Sequence, residues 1–134
     1  MMKTYQGSCH CGAVTFEADI DLAAGTSKCN CSICTKRRNW GALLKPDQFR
    51  LLQGEEVLRD YRFGTMQGTH RFCGTCGCAP FSEGNVPEIG GAFVSVQVMS
   101  LDDAGHEELA SAPVNYGDGR HNSWWTEPAE KAIL

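Results

Sequence analysis

Cysteine carries most of the chemistry legible in this sequence. Eight cysteines fall into three clusters: Cys9 and Cys11 in "CHCG", Cys29, Cys31 and Cys34 in "CNCSICTKRRNW", and Cys73, Cys76 and Cys78 in "CGTCGC". The start, "MMKTYQGSCHCG", has no apolar run of signal-peptide length, so the expected setting is the reducing cytoplasm. There thiols bind metal, catalyse or lie buried rather than pair as disulfides. In "CGTCG" the glycines permit a tight turn whose backbone N–H groups can face thiolate sulfur, which suits a zinc knuckle. A knuckle of Cys73 and Cys76 needs two further ligands, and Cys9 and Cys11 offer a pair far away in sequence, as a staple that closes a fold would.

Four thiolates in a tetrahedron suit Zn²⁺, with iron as the other option. A mixed ligand set using His10 or His70 is conceivable, although lone histidines beside metal sites are more often bystanders. With Cys9, Cys11, Cys73 and Cys76 in one site, Cys29, Cys31 and Cys34 remain, with Cys78 left over. Two arrangements follow. Either Cys78 completes the triplet and both zinc sites are closed, or the triplet binds zinc alone and keeps its fourth position open, as catalytic zinc sites do. Zn²⁺ with three thiolates carries a net charge of about −1, which makes it a poor acid for bound water and points away from hydrolysis. Such a site could instead hold an incoming thiol as thiolate, aimed at an electrophilic carbon. Lys28, Lys36, Arg37 and Arg38 would offset the negative charge and could bind a carboxylate on that thiol, though a cation run is often only a solvated face. Thioredoxin-like redox use of the Cys-x-x-Cys pairs would need a βαβ pattern, and none is visible.

The elements that must position these cysteines are mainly β. Val14, Phe16 and Ala18 alternate with Thr15, Glu17 and Asp19, and Val94, Val96 and Val98 alternate with Ser95 and Gln97. "FRLLQG" at 49–54 and "VLRDYRF" at 57–63 read as a hairpin joined through Gly54, Glu55 and Glu56. No stretch of 12 or more residues has a convincing helical period; short helical turns are expected after Cys34 and in the C-terminal "PAEKAIL". At 134 residues, with no linker or low-complexity tract, the chain is expected to form one domain over 1–134. Its 42% hydrophobic and 21% charged residues argue against disorder and against a membrane span. A net charge of −4 repels phosphate backbones and makes nucleic acid an unfavourable partner.

The motifs "GSCHCGAVTFEA" at 7–18, "CNCSICTKR" at 29–37 and "HRFCGTCGCAPF" at 70–81 resemble those of the glutathione-dependent formaldehyde-activating enzymes. That family shares its zinc-binding fold with the Mss4 group and centromere protein V. The resemblance implies a β-rich, Mss4-like fold stapled by two Zn²⁺. Cys9, Cys11, Cys73 and Cys76 match its structural site, and Cys29, Cys31 and Cys34 its catalytic one. It further implies a carbon–sulfur lyase that adds a glutathione-like thiol to formaldehyde, giving S-hydroxymethylglutathione. The alternative is a non-catalytic zinc module, with two closed four-cysteine sites, that binds a protein partner. Cys78 departs from the family pattern and reads as a buried small residue beside the knuckle. In "NYGDGRHNSWW", Arg120, His121, Trp124 and Trp125 could line a substrate pocket; the favoured expectation is that the tryptophans cover the core edge while Asp118 and Arg120 pair locally. His70 and His121 are candidates for a general acid by residue type alone.

Overall fold

The computed structural model describes residues 1–134 and divides the strands between two sheets. A three-stranded antiparallel sheet takes β1 (Lys3–Ser8), β2 (Thr15–Ile20) and β5 (Phe49–Gln53), with β2 in the middle. The larger sheet runs β10 (Val114–Gly117), β3 (Thr26–Cys29), β4 (Gly41–Leu44), β9 (Gly91–Gln97), β8 (Phe81–Val86), β7 (Thr69–Cys73) and β6 (Leu58–Tyr61). Its one parallel pair is β10 with β3, which sets Gly117 opposite Cys29. Two six-residue helices, α1 (Ser32–Arg37) and α2 (His106–Ser111), and several 3₁₀ turns complete the chain. The expected mainly β class holds.

The alternating segments behave as their patterns require. Phe16, Ala18 and Ile20 are buried on one side of β2 with Val14 just before it, and Val94 and Val96 are buried along β9 with Val98 just after it. Between the sheets, the Phe49 ring lies 5.3 Å from Phe16 and 4.5 Å from Phe81, so two rings of the small sheet meet one of the large sheet at the centre of the core.

The hairpin expected from 49–63 does not form. β5 pairs with β2, whereas β6 pairs with β7 in the other sheet. Gly54 causes the divergence: its φ of +97° is left-handed, and a 3₁₀ turn over Glu55–Val57 follows, so the chain swings from one sheet to the next. A Cβ there would meet the Ala13 carbonyl oxygen at 2.4 Å and Val14 Cα at 2.7 Å. Alternation reports which face is buried and is silent on which sheet supplies the partner.

The helical turn expected after Cys34 begins earlier, at Ser32, and contains Cys34. The C-terminal turn forms over Lys131–Ile133. At six residues α2 is too short to declare a period in sequence. No helix is long and apolar enough to cross a membrane.

Candidate metal centre and its cavity

Cys9, Cys11, Cys73 and Cys76 converge, with all four sulfurs within 4.8 Å of one another. Four sulfurs about 2.3 Å from a tetrahedral centre would lie about 3.8 Å apart. The Cys9–Cys11 and Cys11–Cys73 sulfur separations are both 3.7 Å, close to that spacing, so the donor set fits a zinc tetrathiolate. Cys9 and Cys11 sit in the β1–β2 connection, and Cys73 closes β7, so the cluster ties the small sheet to the large one.

Backbone amides supply the local support. Val14 N–H donates to Cys9 Sγ at 3.3 Å, and Thr75 and Cys76 N–H donate to Cys73 Sγ at 3.4 and 3.5 Å. The amides of Cys78 and Cys11 hold the Cys76 thiol down to about 6. Gly77, at φ +81°, donates to the Cys73 carbonyl, while Cys73 N–H donates to the Cys78 carbonyl at 2.8 Å. The turn is therefore wound so that N–H groups face sulfur, as the glycines of "CGTCG" led one to expect.

Cys29, Cys31 and Cys34 form the second cluster, again with sulfurs within 4.8 Å of one another. Cys29 ends β3, Cys31 caps α1 and Cys34 lies in its first turn. Hydrogen bonds from Cys29 and then Cys34 draw the Cys31 thiol down to about 2, while those from Cys29 and then Cys31 push Cys34 up. Three thiols thus share a space in which one negative charge is tolerated only through the others' protons. A divalent cation would take the place of those protons, so this donor set too fits zinc.

Cys78 does not join the triplet. It is exposed and lies beside the knuckle, where Cys76 and Cys9 are its charged neighbours. The expectation of a buried Cys78 is thus corrected in burial and upheld in place: the knuckle turn points its side chain outward. His10 is exposed, and the Nδ1 of His70 is engaged by Arg37, so the clusters are built of cysteine alone.

A C-terminal strap anchors the triplet loop through Asn30, the residue between Cys29 and Cys31. Asn30 N–H donates to the Gly117 carbonyl at 3.3 Å, and its amide group donates to Asp118 Oδ1 at 2.8 Å. Arg120 N–H donates to Asn30 Oδ1 at 3.0 Å, Arg120 Nε to the Asn30 carbonyl at 3.1 Å, and Nη2 to Thr35 Oγ1 at 3.4 Å. Hydrogen bonds from Asn30 and then His121 hold the Asp118 carboxyl below its usual range. The expected local Asp118–Arg120 pair is absent, because both residues are spent on Asn30. Sequence reasoning missed Asn30; its position inside Cys-x-Cys was the available signal.

The triplet opens on a cavity of about 1510 Å³. Arg37 and His70 line it near the cysteines, and Trp124 and Trp125 line it on the strap side. Both tryptophans are exposed, at 49% and 79%, so they do not cover the core edge as expected; the Trp124 ring lies against Gly119 of the strap instead. Arg120 and His121 stay outside the cavity wall. The four cations separate as well. Lys28 and Arg37 line the cavity, Arg38 donates to the Ile133 carbonyl at 3.0 Å, and Lys36 is exposed.

Comparison with known proteins agrees with this arrangement. Residues 4–116 match the family described as glutathione-dependent formaldehyde-activating enzyme, a span that includes all eight cysteines. A crystal structure of a Rhodobacter sphaeroides protein is similar at a TM-score of 0.68 with 31% identity, covering 81% of this chain and 98% of that one. The chain, with its two cysteine clusters, belongs to the glutathione-dependent formaldehyde-activating enzyme family.

Proposed function

We propose that the protein is a zinc-dependent carbon–sulfur lyase, a single-domain cytoplasmic enzyme that adds a glutathione-like thiol reversibly to formaldehyde or another small aldehyde. Cys9, Cys11, Cys73 and Cys76 would hold a structural Zn²⁺, and Cys29, Cys31 and Cys34 a second at the reaction site. The observation that carries this reading is the contrast in ligand number: four sulfurs where the sheets are tied, three where the cavity opens. Zn²⁺ at the triplet would supply stabilisation of a substrate thiolate.

The chain's own residues account for the rest. A cavity of about 1510 Å³ has room for a peptide-sized thiol as well as formaldehyde. Lys28 and Arg37 offer positive charge on its wall for the carboxylates such a thiol carries. Wrapping by the strap fixes the Cys29–Cys34 loop before substrate arrives, which favours reaction geometry over loop ordering.

Exchange NMR on ¹³C-formaldehyde mixed with glutathione tests the proposal, read as the interconversion rate because the adduct also forms unaided. Acceleration by the zinc-loaded protein, lost in a folded Cys34→Ser variant, is the expected result. A protein shown to hold two zinc ions yet giving no acceleration with glutathione or other small thiols would favour the closed binding module.

A further inference from the structure

Arg37 is an arginine without a carboxylate. Arg50 pairs with Glu17 and Asp19, and Arg71 with Asp60, but the half-buried Arg37 guanidinium spends its side-chain hydrogen bonds on His70 Nδ1 at 2.8 Å and the Ala79 carbonyl at 3.4 Å. A guanidinium has donors only. His70 Nδ1 is therefore the acceptor, and the imidazole proton of the neutral ring resides on Nε2. The ring is also held flat: Phe63 stacks on it at 5.6 Å and 14°, and Tyr61 stacks on Phe63 at 5.6 Å and 26°. β6–β7 pairing sets Tyr61 opposite His70, so this stack grows from the sheet itself.

Arg37 follows Cys34 by three residues on α1, which places the two side chains on neighbouring positions of one helix face. Both Arg37 and His70 line the cavity on which the triplet opens. His70 thus keeps an oriented Nε2–H without a protein acceptor, on the wall of the cavity that the three thiols also line. Burial first and the Arg37 charge second lower its pKa, which favours the neutral ring.

We propose that neutral His70, through Nε2–H, hydrogen-bonds the aldehyde oxygen as charge develops on it, and that Arg37 is the positioning residue that fixes the required tautomer. This rests on the thiol addition proposed above. In that step the thiol proton goes to solvent, a C–S bond forms from the sulfur lone pair, and the C=O π pair moves onto oxygen. The alkoxide is then protonated by water, and His70 keeps its proton throughout. A neutral imidazole is a weak acid but a competent donor to an oxyanion, and removing one such donor elsewhere slows reactions by about 10²–10³-fold.

Two measurements test the proposal. Long-range ¹H–¹⁵N correlation of the imidazole should find His70 as the Nε2–H tautomer at pH 7, with both tautomers mixed in Arg37→Met. Exchange NMR at saturating thiol should show His70→Ala slowed by about 10²–10³-fold, with much of the rate recovered in His70→Gln, which keeps an N–H donor. A His70 that is Nδ1–H or doubly protonated at pH 7 overturns the tautomer argument. An unslowed His70→Ala, or equal losses in Ala and Gln variants with both metals retained, overturns the role in the reaction. Absence of acceleration by the wild-type protein would instead overturn the addition chemistry itself, and this role with it, while the imidazole spectrum still reports on Arg37.

Discussion

The two cysteine clusters are built from the same residue type and held differently. In the knuckle, Cys9 and Cys73 are 4% and 0% exposed, and backbone amides from the same short turns face the sulfurs. In the triplet all three cysteines are partly buried, Cys31 N–H donates to Cys29 Sγ at 3.4 Å, and the loop is fixed in addition by a distant strap. One cluster joins two sheets; the other opens on a cavity. Four ligands drawn from two sheets make a joint, whereas three ligands on one strapped loop leave one face of the cluster accessible.

The sharpest way to break this comparison is to remove one thiol from each side. A structural zinc supplies about 10–16 kcal/mol of apparent binding free energy in small metallo-domains, as much as the roughly 5–15 kcal/mol by which native proteins are stable. Cys73→Ser should therefore abolish the folded state at 37 °C, seen as loss of near-UV circular dichroism. Cys31→Ser should leave a folded protein that binds one zinc and does not accelerate adduct exchange. Equal unfolding of both variants would mean that the triplet also ties the fold together.

Much of this division was legible in the sequence, because metal ligation depends on residue type and spacing, which sequence displays directly. The knuckle partners and the triplet emerged as groups from the cysteine spacing, and the buried faces of β2 and β9 from alternation. What escaped was everything set by tertiary context. The 49–63 hairpin failed because Gly54 sends the chain to a second sheet. The strap on Asn30 and the Arg37–His70 contact join residues 88 and 33 positions apart, and no local pattern announces them.

Gly54 offers the next largest effect and bears on the knuckle alone. Ala in a left-handed conformation, against the backbone of Ala13 and Val14, should cost about 3 kcal/mol and lower Tm by roughly 10 °C. Because Val14 N–H donates to Cys9 Sγ, Gly54→Ala should also weaken the structural zinc, while turnover per folded molecule at low temperature stays unchanged. A Tm unchanged within error would mean that the Cys9–Val14 loop yields freely.

On the triplet side the matching change is Asp118→Ala. It frees the Asn30 amide group while leaving the β10–β3 pairing intact. Outer-shell contacts typically tune metal affinity or activity by about 10–100-fold, and a loss near the lower limit is expected here, with Tm shifted by only a few degrees. In the wild-type protein the Asp118 carboxyl is held below its usual range, so its contribution is fully present above the ordinary carboxylate pKa and is lost as pH falls through the lowered one. Between pH 7 and 5 Asp118 therefore stays ionised, so chelator competition should show a weaker hold on zinc at the triplet in Asp118→Ala that is the same at both ends of that window, with retention at the knuckle unchanged.

Cys78→Ser should do least, and for that reason it is the cleanest check on the open triplet. Cys78 is exposed, belongs to neither group of converging sulfurs, and contributes to the knuckle through its backbone carbonyl, which serine retains. Two zinc ions per chain, unchanged turnover and a Tm within about 2 °C of wild type are expected, as for a surface substitution away from special features. A fall to one zinc would mean that Cys78 swings across to serve as a fourth ligand of Cys29, Cys31 and Cys34. The second cluster would then be as closed as the first, and the difference in ligand number on which the catalytic reading stands would disappear.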